Sequence, residues 1–220
     1  MDNIVIIGSS GHAKVIIDIV EKESRYRIAG IIDPHKKKGE KILGYSILGQ
    51  KEDLPQLMIS HAIKGAIVAI GDNFTRSAEV SRLREICPDI IFVSAKHPKA
   101  SIAKDVTIGE GTVIMAGANI NPSCSIGLFC IINTNSSLDH DSEMKNFSSI
   151  APGVTTGGNC KIDDFTAISI GATLIHGIHI GEHTVIGAGS TVIKDIQPYK
   201  IAYGTPAKVI RDRIQGEKYF

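Results

Sequence analysis

The feature that most constrains this chain is an aliphatic residue that returns at every sixth position through its C-terminal half. The series runs from Ile102 to Val192 without an insertion, and fifteen of its sixteen members are Ile, Leu, Met or Val. The whole-chain hydrophobic content of 43% would place only about seven such residues there. The single exception is Thr156. A hexapeptide period sustained over this length is typical of a parallel β-helix.

A second position of the repeat, four residues after each aliphatic one, holds mostly small or β-branched side chains. One large and one small inward residue per hexad would fill a narrow triangular prism, which accounts for an aromatic content of only 5%. Three hexads close one coil, so the sixteen hexads predict slightly more than five coils, stacked over roughly 25 Å. The small position includes Cys124, Cys130 and Cys160, which we expect to pack as compact hydrophobic residues.

The composition argues against a nucleic-acid-binding or membrane-spanning protein. The formal net charge is +1, and the densest cationic run, 35-HKKKGEK-41, is best interpreted as a solvated turn. No apolar stretch reaches the length of a transmembrane helix, and strand-like sequence begins at Asn3, so we expect no signal peptide. The four cysteines lack the paired spacing of a metal site, which favours reduced thiols and a cytoplasmic location.

The residues before the hexads follow a different pattern, in which short apolar runs alternate with helical stretches. This alternation predicts a small parallel α/β sheet of the Rossmann-like kind. We therefore predict two domains, an α/β domain over residues 1–97 and a β-helix with a short C-terminal tail over residues 98–220. The predicted strands are 3–8, 28–33, 65–71 and 90–95, and the predicted helices are 13–23 and 74–86.

Three turns at the carboxyl ends of these strands are candidates for a ligand site, because parallel α/β sheets bind ligands at that edge. The first turn opens a helix whose free N–H groups could receive a phosphate, although a tight strand–helix turn explains it equally well. Convergence of all three turns favours a nucleotide-sized ligand. The candidate residues are Gly8, Ser10, Gly11 and His12 in the first turn, Asp33 in the second, and Gly71, Asp72, Asn73 and Arg76 in the third.

The hexads 108-IGEGTV-113, 180-IGEHTV-185 and 186-IGAGST-191 resemble those of the left-handed β-helix acyltransferases, and the tail 204-GTPAKVIR-211 is similar to the segment that closes such helices. The resemblance implies a left-handed coil, a homotrimer and an acyl-coenzyme A bound in the clefts between subunits. By position, it assigns the donor cleft to Gly158, Ile170, Ala188, Gly189, Pro206 and Lys208.

The order of motifs along nearly the whole chain resembles the nucleotide-amino-sugar N-acetyltransferases of bacillosamine and perosamine type, and the related sialic acid O-acetyltransferases. The motifs are the G-x-S-G-H start, the strand-ending Asp33, the turn 71-GDNFTR-76 and the segment 97-HPKA-100 before the hexads. This resemblance implies that the α/β domain holds the nucleotide of the acceptor sugar and that the β-helix holds acetyl-CoA. We interpret His97 as a linking residue.

The segment 136-SSLDHDSEM-144 places a histidine between two aspartates at an outward position of the repeat. An outward histidine is ordinary by itself, but 133-NTNSSLDHD-141 resembles the family's catalytic segment. That resemblance implies that His140 is the general base, that Asp141 supports it and that the N–H of Gly158 stabilises the oxyanion. It also assigns Asn133 to the substrate site. Ser149 stands where the family often has a histidine, which leaves the acceptor's identity open.

The resemblance therefore predicts acetyl transfer from acetyl-CoA to the amino group of a nucleotide-linked amino sugar of the 4-amino-4,6-dideoxy type, and two alternatives stay open. One alternative is a sugar O-acetyltransferase of the sialic acid type, and the other is a non-catalytic trimer that binds nucleotide sugars. We expect no metal, because the spacing of His176, His179 and His183 does not fit a histidine-ligated site.

Overall fold

The computed structural model describes residues 1–219 and divides into two compact units, which are treated separately. The first unit contains residues 1–71 and 75–98, and the second contains residues 72–74 and 99–220. The short segment 72–74 thus belongs with the hexad repeats, although it follows a strand of the first unit. No helix among the described residues is long and apolar enough to cross a membrane.

The first unit is built on a six-stranded sheet whose strand order is β3-β4-β2-β1-β5-β6. Strands β1, β2 and β5 pair in parallel, and their apolar side chains form the core because helices cover a sheet of this kind. The strands are β1 (Asp2–Ile7), β2 (Tyr26–Ile32), β3 (Lys41–Ile42), β4 (Tyr45–Gly49), β5 (Ile63–Val68), β6 (Ile91–Phe92) and β7 (Ala95–Lys96), of which β7 lies outside the six-stranded sheet. The helices are α1 (Gly11–Glu23), α2 (Leu54–Ser60) and α3 (Asn73–Ile86), with a 3₁₀ turn over Lys51–Asp53.

The second unit is a parallel β-helix of two-residue strands that fall on three flat faces. Face 1 contains β8 (Ser101–Ile102), β11 (Asn119–Ile120), β14 (Ser137–Leu138), β17 (Thr155–Thr156), β20 (Thr173–Leu174) and β23 (Thr191–Val192). Face 2 contains β9 (Thr107–Ile108), β12 (Ser125–Ile126), β15 (Glu143–Met144), β18 (Lys161–Ile162) and β21 (His179–Ile180). Face 3 contains β10 (Val113–Ile114), β13 (Ile131–Ile132), β16 (Ser149–Ile150), β19 (Ala167–Ile168) and β22 (Val185–Ile186), and the hairpin β24 (Lys200–Gly204) and β25 (Ala207–Asp212) continues it.

The register of these strands matches the predicted three hexads per coil. Asn119 pairs with Ser137, which pairs with Thr155, and each step is eighteen residues. The inward aliphatic residues from Ile114 onward are buried, as are Cys124, Cys130 and Cys160 in the small position. The last coil is shorter by two residues, because Ile196 pairs with Ile180. Ile196 therefore continues the large aliphatic row of face 2. The unbroken hexad count predicts it at the small position, four residues after Val192, and that prediction is wrong.

Each corner of the prism is turned by a residue in the left-handed region of the backbone map. These residues recur at every sixth position from Asp105 to Gly189, with φ between 52° and 71°. Glycine, Asn and Asp tolerate this conformation best, and they occupy most of the corners. We name the corners by the faces they join and by a residue that lies on them: the His140 corner joins faces 1 and 2, the aromatic corner joins faces 2 and 3, and the Gly189 corner joins faces 3 and 1.

Candidate active site and nucleotide-binding loop

The His140 corner carries a histidine–carboxylate pair on its outer surface. Asp141 takes the left-handed conformation, with φ of 56°, and this turn brings its Oδ2 to 2.7 Å from His140 Nδ1. Both side chains are about half exposed, at 53% and 55%. The hydrogen bond with Asp141 raises the pKa of His140 above its ordinary value; burial opposes this effect, and the charges of Asp139 and Asp141 add to it. The pair can therefore take up and hold a proton.

Asp139 fixes the backbone of the same corner. Its Oδ1 accepts a hydrogen bond from the backbone N–H of His140 at 2.8 Å, and also one from the side-chain amide of Asn121 in the preceding coil. These two hydrogen bonds, with the Asn121 bond the larger cause, lower the pKa of Asp139. Sequence reasoning did not single out Asn121 or Asp139 as site residues. The signal was available, since Asn121 precedes Asp139 by one full coil of eighteen residues.

Gly158 lies one coil above His140, and the imidazole ring packs directly over its Cα. A Cβ on Gly158 would come within 2.5 Å of both Cε1 and Nε2 of His140, so only glycine leaves room for the ring. The two successive coils are joined at this corner by a hydrogen bond from the N–H of Asn159 to the carbonyl of His140, at 2.8 Å. Within residues 1–219, neither Nε2 of His140 nor the N–H of Gly158 makes a hydrogen bond. An acceptor nitrogen and a backbone donor thus lie side by side.

Apart from Gly158, the residues assigned to the donor cleft lie elsewhere on the prism. Ile170, Ala188 and Gly189 are exposed on the Gly189 corner, and Asn133 lies half-buried on the same corner. The tail passes beside them, since Thr205 Oγ1 lies 3.5 Å from the carbonyl oxygen of Gly189. Pro206 and Lys208 are exposed in the turn and second strand of the terminal hairpin, and Ser149 lies on face 3.

Within one chain, the predicted site residues of the β-helix therefore form two groups. His140, Asp141 and Gly158 share one corner, whereas Asn133, Ile170, Ala188 and Gly189 share another, and the whole width of face 1 separates the two. The outward side chains of face 1 are small and uncharged: Ser101, Asn119, Ser137, Thr155, Thr173 and Thr191.

The first unit presents the loop that follows β1. Gly8 has φ of 100°, and a Cβ there would lie 3.1 Å from the carbonyl oxygen of Ala69, so a glycine is needed for both conformation and space. Ser10 is the N-cap of α1, and Gly11 begins the helix, with open space around the position of its missing Cβ. This is the arrangement of an anion-binding helix N-terminus.

Asp33 lies beside this loop at the end of β2. Its Oδ2 accepts a hydrogen bond from Ser9 Oγ at 2.6 Å, and its Oδ1 accepts one from the backbone N–H of His35 at 2.8 Å. Asp33 is buried, and its hydrogen bond with Ser9 holds the loop after β1 in place. The sequence analysis did not select Ser9. Ser9 and Asp33 meet because the parallel strands β1 and β2 end at the same edge of the sheet. The sequence indicates that the turns after these strands are neighbours, but it does not indicate which of their side chains are in contact.

His12 and Arg76 are two further predicted site residues of the first unit. His12 Nε2 is buried without a hydrogen-bond partner, and desolvation, followed by the nearby charge of Arg76, lowers the pKa of His12 to about 4. His12 is therefore neutral at physiological pH. Arg76 is itself buried, and its guanidinium donates to the carbonyl oxygens of Ile70 and Gly71 at 2.9 and 2.8 Å. Those bonds hold the turn after β5 in place.

Asp72 and Asn73, which were predicted in the same turn, belong to the second unit. The amide of Asn73 donates to the backbone carbonyls of Thr166 at 3.1 Å and Phe165 at 3.4 Å on the aromatic corner. The backbone N–H of Asn73 donates to the hydroxyl of Tyr219, at 3.3 Å. These contacts, all within the second unit, hold Asn73 against the aromatic corner.

Among the described residues, no group of three or more His, Cys, Asp or Glu side chains could hold a metal ion. The three later histidines have separate environments. His176 is exposed, His179 Nε2 lies 2.7 Å from Asp163 Oδ2, and His183 is buried in the stack of aromatic rings described below.

Comparison with known proteins agrees with this architecture. The family model described as the PglD N-terminal domain matches residues 3–83. A UDP-N-acetylbacillosamine N-acetyltransferase from Bacillus subtilis (strain 168) is 32% identical over 122 residues, which make up 53% of this chain and 52% of that protein. The match thus spans about half the length of the curated relative.

Two solved structures cover almost the whole chain. One is a histidine-to-alanine mutant of GDP-perosamine N-acetyltransferase from Caulobacter crescentus, in complex with CoA and GDP-perosamine. It is 32% identical with a TM-score of 0.90, over 96% of this chain and 98% of that one. The other is the acetyltransferase domain of PglB from Neisseria gonorrhoeae FA1090 with acetyl coenzyme A, 25% identical with a TM-score of 0.85, over 94% and 98% of the two chains.

These similarities confirm the fold class predicted from the sequence, a Rossmann-like α/β domain followed by a left-handed parallel β-helix of hexapeptide repeats with a short tail. They also confirm the predicted family. The chain belongs to the acetyl-CoA-dependent N-acetyltransferases of nucleotide-linked amino sugars, of the bacillosamine and perosamine type.

Proposed function

We propose that this protein transfers the acetyl group of acetyl-CoA to the amino group of a nucleotide-linked 4-amino-4,6-dideoxy sugar, with His140 as the general base. The observation that supports this proposal most strongly is the position of His140 Nε2. The ring is oriented by Asp141 through Nδ1, and its other nitrogen lies over Gly158, whose N–H has no acceptor in the described chain. Base and oxyanion donor are therefore adjacent.

The proposed reaction is a direct attack in which every proton has a destination. The free amine of the sugar attacks the thioester carbonyl carbon, and His140 Nε2 takes a proton from the attacking nitrogen. The carbonyl oxygen becomes an oxyanion that accepts a hydrogen bond from the N–H of Gly158. The intermediate then collapses, the carbon–sulfur bond breaks, and the imidazolium returns the proton to the sulfur. The products are the N-acetylated sugar and free coenzyme A.

Asp141 has a distinct part in this reaction. By accepting a hydrogen bond from Nδ1–H, it selects the tautomer in which Nε2 carries a lone pair. It also stabilises the imidazolium that forms when the amine loses its proton. Tautomer assignment and charge stabilisation together suit His140 to act as a base near neutral pH.

We further propose that the protein is a homotrimer and that the donor cleft lies between subunits. One chain places His140 on one corner and Ile170, Ala188 and Gly189 on another, with face 1 between them. Cyclic symmetry would bring the His140 corner of one subunit to the Gly189 corner of the next. Acetyl-CoA would then lie along Ile170, Ala188, Gly189, Pro206 and Lys208 with its thioester directed to His140.

The first unit is proposed to bind the nucleotide portion of the acceptor. Backbone N–H groups of Ser10 and Gly11 at the start of α1 are suited to the diphosphate, and the neutral His12 lies beside them. Gly8 forms the turn that leads to these groups, while its own N–H donates to the carbonyl of Ile32. Asp33 holds the loop through Ser9. From the second unit, Asp72, Asn73, Asn133 and Ser149 remain proposed acceptor residues. A cytoplasmic location is part of the same proposal, because all four cysteines are free thiols.

A panel of acceptors tests the reaction type. The purified protein would be incubated with acetyl-CoA and UDP-, GDP- or dTDP-linked 4-amino-4,6-dideoxy sugars, and released coenzyme A thiol would be measured. The matched control is the same nucleotide sugar with a 4-hydroxyl in place of the amine. Turnover with an amino sugar supports the proposal.

Two other outcomes would contradict it. Turnover confined to hydroxyl acceptors such as free sialic acid would identify an O-acetyltransferase. Thermal stabilisation by a nucleotide sugar without any thiol release would identify a binding protein without catalytic activity.

A further inference from the structure

Thr156 is the one member of the aliphatic series that is polar, and it lies in the immediate neighbourhood of the proposed site. Its side chain is directed into the prism and is 4% exposed. It is followed directly by Gly157 and Gly158 in the coil above His140. A buried hydroxyl among Ile and Leu side chains requires a hydrogen bond to offset its loss of water.

The hydroxyl has such a partner, and the partner is in the coil below. The backbone N–H of Asp139 donates to Thr156 Oγ1 at 3.0 Å. Asp139 immediately precedes His140, and its carboxylate accepts the backbone N–H of that histidine. One side chain thus connects the strand end before His140 with the strand end before Gly158.

This bond replaces a regular rung of the β-helix. At the equivalent positions on the His140 corner, the backbone N–H donates to the carbonyl one coil above. The regular donors and acceptors are Ala103 to Ile120, Asn121 to Leu138, Gly157 to Leu174 and Ile175 to Val192.

At Asp139 the backbone rung is absent among the described residues, and the hydroxyl of Thr156 takes its place. The strand pairing records the same interruption. On face 1, most neighbouring strands pair through both of their residues, but β14 and β17 pair only through Ser137 and Thr155. The coil that carries His140 is therefore offset from the coil that carries Gly158 at this one point.

We propose that Thr156 is a positioning residue that sets the spacing between the imidazole of His140 and the backbone of Gly158. The proposal rests on the function proposed above. An aliphatic residue at this position would allow Asp139 N–H to bond the backbone carbonyl, as its equivalents do, or would leave it without an acceptor. In either case the coil that carries His140 would move relative to the coil that carries Gly158. The distance between the imidazole and the N–H of Gly158 would then change.

The test uses Thr156→Val, which removes the hydroxyl, keeps a β-branched side chain of similar volume and completes the aliphatic series. Because the displaced groups act on the reacting atoms, we expect kcat to fall about 10- to 100-fold while KM for each substrate stays within about twofold. Thr156→Ser keeps the hydroxyl and is expected to recover most of kcat.

A matched control separates positioning from general loss of a buried hydroxyl. Thr112 is fully buried, accepts the N–H of Cys130 at 3.0 Å and donates to the carbonyl of Gly127 at 2.9 Å, on the aromatic corner. Thr112→Val should therefore leave kcat within about twofold of the unmodified protein. Circular dichroism and a thermal midpoint for each variant would verify folding.

Kinetics of the unmodified protein and of His140→Ala, measured in parallel, keep the two proposals distinct. No turnover by the unmodified protein on any acceptor would contradict the proposed function itself. Suppose that the unmodified protein is active and His140→Ala is not. A kcat of Thr156→Val close to the kcat of Thr112→Val would then overturn the proposed role of Thr156. Failure of Thr156→Ser to recover kcat would overturn it as well.

Discussion

At the scale of single residues, the proposed chemistry depends on two neighbours that share one corner of the prism. His140 and Asp141 are adjacent in sequence, and a regular strand would direct them to opposite sides. The left-handed conformation of Asp141 is what turns its carboxylate back to Nδ1. An aspartate tolerates that conformation better than a larger or β-branched residue does.

The pair predicts a specific pH dependence. The base must be neutral to accept a proton, and Asp141 raises the pKa of His140, so kcat/KM should fall as the pH decreases through a value above 6.5. Asp141→Asn keeps the left-handed conformation and removes the charge, so the acid limb should move to lower pH. The plateau should also fall, because the imidazolium is less well stabilised. An unchanged acid limb in Asp141→Asn would show that this carboxylate does not control the base.

Gly158 provides a second test at this scale. Its missing Cβ is the space that the imidazole occupies, so Gly158→Ala should displace the ring by about an ångström. We expect kcat to fall on the order of 10²-fold with little change in the thermal midpoint. Gly44→Ala is a steric control in the turn between β3 and β4, since nothing lies within 4 Å of its Cβ position, although its φ of 88° makes some loss of stability expected. Equal kcat for Gly158→Ala and the unmodified protein would exclude close packing of the ring as a requirement.

At the scale of elements, the aromatic corner is the feature that the sequence analysis did not predict. Phe129, Phe147, Phe165, His183 and Tyr199 stack with centroid separations of 4.5 to 5.4 Å and interplanar angles of 4° to 14°. All five have positive φ. The stack begins where Gly111 leaves room for the ring of Phe129, since a Cβ there would lie 2.2 Å from Cδ1.

The reason for this omission is physical. Inward residues obey a period of six because every face has the same interior, but outward residues meet their neighbours only one coil later, at a spacing of eighteen. The first four members of the stack follow that spacing, whereas Tyr199 comes two residues early because the last coil is shorter. A search of the outward positions at eighteen residues would have found Phe129, Phe147 and Phe165.

We expect the stack to stabilise the β-helix substantially. Phe129 is 1% exposed, so Phe129→Ala should lower the free energy of unfolding by about 3–5 kcal/mol. Phe74, which is 37% exposed and only tilted against Phe165, offers a control for which a smaller loss is expected. Urea denaturation followed by circular dichroism measures both, and equal losses would contradict a special contribution of the stack.

His183 adds a pH dependence to this element. Burial is the main cause that lowers the pKa of His183, and its Nδ1 is buried without a partner. Because the folded state resists protonation, His183 contributes stability that is present above pH 6.5 and is lost as the pH falls below that value. His183→Phe completes the row of phenylalanines and should make the thermal midpoint less sensitive to acid. The same acid sensitivity in both proteins would contradict this assignment.

At the scale of the whole molecule, the sequence predicted the architecture well and the site only in part. The hexads predicted the β-helix, its three faces and the outward position of His140. Side-chain direction in a β-helix follows directly from position in the repeat. The α/β sheet followed from alternating strands and helices. The short hairpin β3–β4 and helix α2 were not predicted, since strands of two and five residues and a seven-residue helix leave little periodicity.

The arrangement of the site residues depends on features that a linear motif does not contain. Motif similarity assigned His140 and the donor-cleft residues Ile170, Ala188 and Gly189 to a cleft between subunits, and the coil geometry shows that the two groups lie on different corners of one chain. Likewise, Asn73 was expected to contact a ligand, and its amide bonds the carbonyl of Thr166 on the aromatic corner. Both results come from three-dimensional packing across eighteen-residue coils.

The central claim is that a complete site combines the His140 corner of one subunit with the Gly189 corner of another, and subunit complementation tests it most directly. His140→Ala removes the base, and Ala188→Arg would obstruct the donor cleft from an exposed position, so each variant alone should be inactive. If both variants assemble as trimers and are mixed in equal amounts with exchange of subunits, about a quarter of the sites would pair an intact His140 corner with an intact Gly189 corner. Recovery of about a quarter of the unmodified activity is expected, and no recovery from verified mixed trimers would contradict a site shared between subunits.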